Sequence, residues 1–234
     1  MLTSAGTATP TTLRLRLHSV GAHAASVKFA LGQDDENMTK KQKKVMSEGE
    51  KLRLIDRQLH NINGAIRSLA YFRIISSGMT DDRPNMFWKS TKSVHIEHFV
   101  TAWSKCFGAQ SEDLHWKKIV NDPCSFRTRL CKELGLEKHE FKKYNKQLLS
   151  FRNKVVAHTD TSLQQIDIPS FDSALNALAF LQKELVSELS KFKTELAVHR
   201  GPADVLVWYD NMIEEAGGII GKAIEATSEM EEYH

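Results

Sequence analysis

Helix breakers and covalent cross-links are scarce in this chain. Five prolines and 12 glycines punctuate 234 residues, and the runs between them are long and periodic, which favours an all-helical fold. The three cysteines, Cys106, Cys124 and Cys131, are odd in number and show no C-x-x-C spacing. They read as reduced thiols in a cytoplasmic protein, not as a disulfide framework or a zinc site. No apolar run approaches the ~18 residues that span a bilayer, so a membrane protein is not expected. There is no Gly-rich phosphate loop, no sequence repeat and no carboxylate cluster suited to a metal. His95-Ile-Glu-His98 lacks the i, i+4 pairing of H-E-x-x-H and reads as an exposed turn of a helix. Neither metal nor cofactor is expected.

What is present is charge segregation. The formal net charge is only +3, but residues 138–158 carry Lys138, Lys142, Lys143, Lys146, Arg152 and Lys154 against Glu140 alone. Residues 201–234 carry eight acids against Lys222. A polyanion surface at one end and an acidic tail at the other would account for both, and so would two solvated helix faces. Residues 1–33 contain no acid and are rich in Ser, Thr and Ala. They resemble a transit peptide or, with Met38 as the natural start, a misassigned extension. Alternation in Leu13-Arg14-Leu15-Arg16-Leu17 suits a short strand for which nothing nearby offers a partner.

Three divisions follow. Residues 1–37 form an irregular extension, 38–200 a bundle of long helices, and 201–234 an acidic helical tail. The first helix is expected from about 40 to 76, on the seam Leu52, Ile55, Leu59, Ile62, Ile66 and Leu69. A second carries Ile96, Phe99, Val100, Trp103 and Phe107 and stops at Gly108. Ser111-Glu112-Asp113 would cap a short helix through Val120, and Pro123 would open another that ends before Gly135. A basic helix is expected from 138 to 158, with Phe141, Tyr144, Leu148, Phe151 and Val155 on its seam. A further one from about 170 to 198 carries Phe171, Leu175, Leu178, Leu185, Leu189, Phe192 and Leu196. A last helix follows Gly201-Pro202. Trp103 and Trp116 are expected as packing residues.

The basic helix ends in Ser150-Phe-Arg-Asn-Lys-Val-Val-Ala-His-Thr-Asp160. An arginine and a histidine six positions apart are a workable kit for phosphate chemistry. Arg16 to His23 and Arg53 to His60 nearly meet the same spacing, so the spacing alone distinguishes little. The seam continues to position 158, so His158 should face the packed neighbours with Arg152 on its flank, about 120° away on a straight helix. Such a pair could meet a ligand at the seam edge, or the same residues of a second copy across a two-fold axis. A structural role, with the histidine bonded to a carbonyl and the arginine at the helix C-terminus, is the other reading.

Arg152-Asn153-x-x-x-Ala157-His158 at the end of a bundle helix resembles the motif of the HEPN superfamily, and the flanking phrase is similar to its abortive-infection (AbiU-type) branch. The resemblance is specific around 150–160 and covers 40–200 only as a helical pattern. It implies an antiparallel helical bundle, a homodimer around the motif, and metal-independent RNA cleavage in phage defence or a toxin-like stress response. Under that reading His158 is the general acid or base, Arg152 holds the phosphate, and Asn153 orients one or the other. Lys146 and Lys154 hold the RNA backbone. Non-catalytic helical dimerisation or interaction modules also belong to the superfamily, and a regulator that binds acidic partners through 138–154 is a third reading. An antitoxin partner belongs to the same resemblance. Family toxins with a tyrosine just after the histidine are open to nucleotidylation by it. Thr159, Asp160 and Thr161 fill that stretch here, which speaks against that control.

Overall fold

The computed structural model describes residues 14–15, 46–79, 85–154, 166–193 and 201–228. Six α-helices and a 3-10 turn make up most of them: α1 (Glu48–Gly78), α2 (Met86–Phe107), the turn Trp116–Lys118, α3 (Pro123–Glu133), α4 (Lys138–Arg152), α5 (Asp172–Leu189) and α6 (Val205–Ser228). A two-residue antiparallel pair joins β1 (Arg14–Leu15) to β2 (Ile166–Asp167), with Arg14 opposite Asp167 and Leu15 opposite Ile166. The alternating Leu-Arg segment does find a partner, but one so far along the chain that local pattern could not reveal it. No helix among the described residues is long and apolar enough to cross a membrane.

Helix α1 is the hub, packing against α2, α5 and α6, while α4 lies on α2 and α3. Five of the six residues of its expected seam, Ile55, Leu59, Ile62, Ile66 and Leu69, are buried, and Leu52 packs partly buried against the core. The helix begins at Glu48 and not near residue 40, because Ser47 and Glu50 form a reciprocal capping box. Residues 111–120 do not form the expected helix. Chain turns lead into the 3-10 turn Trp116–Lys118, with Leu114 and Trp116 buried and the Leu114 carbonyl taking a hydrogen bond from Gln58 Nε2 (2.5 Å). Helix α5 also ends early: the chain turns at Ser190–Lys191, although Phe192 still packs on the core.

Helix α6, the acidic segment, is packed along α1, burying Val205, Tyr209 and Ile224. Asp204 caps its first turn by accepting from the Leu206 and Val207 amides. Arg73 of α1 binds α5 and α6 together, donating to Tyr209 Oη (2.9 Å) and Asp172 Oδ1 (2.6 Å).

The turn between α3 and α4 positions the basic helix. Gly135 has φ +62°, the left-handed value that a Cβ opposes. The Leu136 amide donates to the Cys131 carbonyl (3.0 Å) and the Gly135 amide to the Lys132 carbonyl (3.2 Å), a Schellman closure of α3. Gly135→Ala should therefore cost about 1 kcal/mol or more. A shift in the urea midpoint at constant m-value measures it, and an unchanged midpoint would show that the turn relaxes freely.

Candidate nucleic-acid interface

Helix α4 sorts its side chains as its sequence predicts. Phe141, Leu148 and Phe151 are buried, and Tyr144 and Asn145 lie half-buried beside them. Two polar residues lock its inner face. The Asn145 amide donates to the Phe107 carbonyl (2.7 Å) and accepts from Trp103 Nε1 (3.2 Å), which fixes which end of the amide points where. Tyr144 Oη donates to the Ser170 carbonyl (2.7 Å) and accepts from the Ala174 amide (3.1 Å) at the start of α5. Burial pushes the Tyr144 hydroxyl well above the usual phenol range, so it stays protonated. Phe151 meets the Phe171 ring edge-on (5.9 Å), and Phe171 in turn contacts Phe72 and Phe99. The C-terminal end of α4 is thus anchored on α1, α2 and the start of α5.

The outer face of α4 is a shallow basic groove lined by His139, Lys142, Lys143, Lys146, Gln147 and Ser150. Glu140, the acid of this helix, is engaged at the helix start, where it accepts from the Glu137 amide (2.8 Å). No ion pair among the described residues involves Lys142, Lys143 or Lys146. At the far end stands Arg152, half-buried, its Nε buried and without a hydrogen-bond partner among the described residues. A buried N–H of a permanent cation left unpaired is uncommon and costly.

Asn153 and Lys154 follow, both exposed, where the backbone widens into a π-helical turn. The Asn153 amide donates to both the Leu149 and Ser150 carbonyls. The regular helix therefore ends at Arg152, and the expected continuation through 155–158 lies outside the described residues. His158 lies outside the described residues, as do Val155, Thr159, Asp160 and Thr161. Of the sequence-derived site, Lys146, Arg152, Asn153 and Lys154 all lie in the C-terminal half of α4 and the π-helical turn after it, with Arg152 about 120° around the helix from Lys146.

The weaker candidates resolve into packing. Trp103 and Trp116 are buried. His95 meets the edge of Tyr71 (5.2 Å), and His98 Nδ1 lies 2.9 Å from Ser68 Oγ. Burial, then nearby positive charge, holds both imidazoles below their usual value, so they are neutral near pH 7. No group of three metal-ligating side chains occurs among the described residues. All three cysteines are free, and burial pushes the Cys106 thiol up to about 12, far from a reactive thiolate. Asp81 and Asp82 lie outside the described residues.

One feature escaped the sequence reading. A cavity of about 320 Å³ opens beside the N-terminal half of α4, walled by the end of α2, the 3-10 turn, α3 and α4 itself. A sequence signal existed in His115-Trp-Lys-Lys118, an aromatic ring followed by two cations. Its partner walls come from segments that only the fold assembles.

No protein-family model matches the chain, and no curated protein or solved structure is significantly similar to it.

Proposed function

We propose that the protein is a metal-independent endoribonuclease of the HEPN type, working as a homodimer in phage defence or as a toxin-like stress effector. The observation that carries this reading is Arg152. Its guanidinium sits half-buried at the C-terminal end of the lysine-rich helix α4, on the flank of its buried stripe, with a buried Nε donor unpartnered among the described residues. A planar guanidinium held without a carboxylate is suited to a phosphate. The resemblance of Arg152-Asn153-x-x-x-Ala157-His158 to the HEPN motif supplies the second group.

The chemistry needs no metal. The ribose 2′-oxygen bonds to the adjacent phosphorus as its proton leaves to a base, and the bond from phosphorus to the 5′-oxygen breaks as that oxygen takes a proton. The products are a 2′,3′-cyclic phosphate and a 5′-hydroxyl. His158 serves one of these proton transfers, and Arg152 neutralises charge on the non-bridging oxygens. Asn153 orients the phosphate or the imidazole, and Lys146 and Lys154 hold the flanking backbone.

Purified protein incubated with total RNA in EDTA should yield cyclic-phosphate ends. Arg152→Ala and His158→Ala should each remove them while size-exclusion light scattering still reports a dimer. Equal cleavage by wild type and both variants would refute the assignment of these residues. A wild type that dimerises and leaves RNA intact would place the protein among non-catalytic interaction modules.

A further inference from the structure

The cavity beside α4 differs in kind from the lysine groove on the outer face of that helix. Its volume of about 320 Å³ falls at the lower end of small-molecule sites, roughly 300–1,000 Å³. Its wall is aromatic, built from Phe107, Trp116 and Phe141. These rings belong to the core: Trp116 is stacked on Phe126 (4.6 Å) and Phe107 on Trp103 (4.3 Å), so the wall is rigid. Its charged side chains are all basic, namely Lys117, Arg127, Lys138 and Lys142, and no carboxylate lies among the described residues that line it. Lys117 Nζ is 5.9 Å from the Trp116 ring centre, so a cation lies against the ring itself.

Two further polar groups refine the ligand. Asn145 is committed to Phe107 and Trp103 through both amide atoms and fixes the floor. His115 accepts from the Lys117 amide through Nδ1 (3.2 Å), which leaves its proton on Nε2. Burial, with Lys117, Lys118 and Arg127 nearby, holds its imidazole down to about 4. At neutral pH the cavity therefore offers a neutral imidazole between cations, a group for a polar ring edge and not for a second negative charge. A flat heteroaromatic ring with a phosphate attached meets each of these surfaces. A carboxylate-rich peptide would use the cations and leave the rings idle.

The place of the cavity relative to the groove matters equally. Lys142 lines both. From Lys142 to Arg152 is ten residues of helix, about 15 Å. That is about four nucleotides of stacked strand at about 3.4 Å each, and fewer when unstacked.

We propose that this cavity takes one base-plus-phosphate unit of a single-stranded RNA whose backbone runs along the lysines of α4 toward Arg152. The inference rests on the reading of α4 as an RNA face and adds an anchoring site that sets where the strand lies. Lys138, Lys142 and Arg127 hold the phosphate, while the base rests against the outer margin of the aromatic wall, whose rings Phe107, Trp116 and Phe141 are themselves buried. A free nucleotide carries the same chemistry and is the other source of this ligand.

The test uses the full chain and a 12-nucleotide 2′-O-methyl RNA, which binds as RNA but lacks the attacking hydroxyl. Fluorescence anisotropy at moderate salt should show Lys138→Gln/Lys142→Gln, both exposed surface changes, weakening binding about tenfold. An abasic strand with the same phosphates should bind at least about fivefold more weakly than the full RNA. A 4-thiouracil base should crosslink to the peptides bearing Trp116 or Phe141. If the double variant spares RNA binding but abolishes binding of a fluorescent adenosine monophosphate, the free nucleotide is the source and the chemistry stands. Competition by abasic strand or poly-glutamate equal to that of RNA overturns the proposal, because the site would then read charge alone. Crosslinks confined to 146–154 overturn it too. The outcomes separate from those of the nuclease reading. Base-dependent binding without cleavage sinks the nuclease and leaves the cavity, whereas cleavage with binding of both RNA and adenosine monophosphate unchanged in the double variant does the reverse.

Discussion

Trp103→Ala is expected to remove about 3–5 kcal/mol of stability, a large share of the roughly 5–15 kcal/mol typical of a domain. Trp103 is fully buried at the contact between α2 and α4. Its ring stacks on Phe107 (4.3 Å) and meets the edges of Phe141 (6.5 Å) and Tyr144 (6.4 Å), so three ring pairs disappear together. Its Nε1 also donates to Asn145 Oδ1, and truncation leaves that oxygen buried without its donor. The loss falls on the helix that carries Arg152, so amide exchange should rise first along 141–152. Urea unfolding of Trp103→Ala beside Trp103→Phe divides the effect. Phenylalanine keeps most of the ring area and loses the hydrogen bond, at a cost of about 1–3 kcal/mol. Equal losses in the two variants would show that the hydrogen bond, and not the ring packing, joins α4 to the bundle.

The same contact shows what could be read without coordinates. Spacing of Ile96, Phe99, Val100, Trp103 and Phe107 identified the inward face of α2, and the five seam positions from Ile55 to Leu69 did so for α1, because both obey the 3.6-residue period. Where the reading erred, a local signal was outvoted or absent. Ser47-x-x-Glu50 carries the capping-box pattern that starts α1 at Glu48, within a helical composition that extends upstream. At the other extreme, Phe192 and Leu196 extend the period of α5 while the chain turns at Ser190–Lys191 with no Gly or Pro to announce it. The 111–120 segment is shaped by Gln58, whose amide takes the Leu114 carbonyl from a helix more than 50 residues away. Pairing of Arg14–Leu15 with Ile166–Asp167 is less local still.

The site divides in the same way. The lysine face of α4 and the place of Arg152 on the flank of its stripe follow from one helix and its period. The end of the regular helix at Arg152 does not, because the π-helical turn at 153–154 is announced by no Gly or Pro in the motif. The aromatic cavity required four separated segments to meet, and only the Schellman turn at Gly135 brings α3 and α4 into that arrangement.

His115 makes the wall of that cavity sensitive to acid. It is 3% exposed, lies against Trp116, and has its Nδ1 engaged by the Lys117 amide. Burial first, then Lys117, Lys118 and Arg127, depress its imidazole to about 4, whereas in the unfolded chain it titrates near its ordinary value of about 6.5. Between those two values the unfolded state holds the extra proton, so stability rises with pH across the window. The contribution is complete above about pH 6.5, declines as the medium is acidified, and is gone below about pH 4. A separation of that size corresponds to about 3 kcal/mol. His95 and His98 shift in the same direction and add their own slope, so the measurement has to be a difference. Urea unfolding of wild type and His115→Gln at pH 7, 5.5 and 4.5 supplies it, since glutamine keeps a polar amide but cannot take the proton. Wild type should lose its advantage over the variant steadily between pH 7 and 4.5. Two parallel acid limbs would mean that the proton goes elsewhere, and that His115 is not the group that loosens the junction of the 3-10 turn, α3 and α4 in acid.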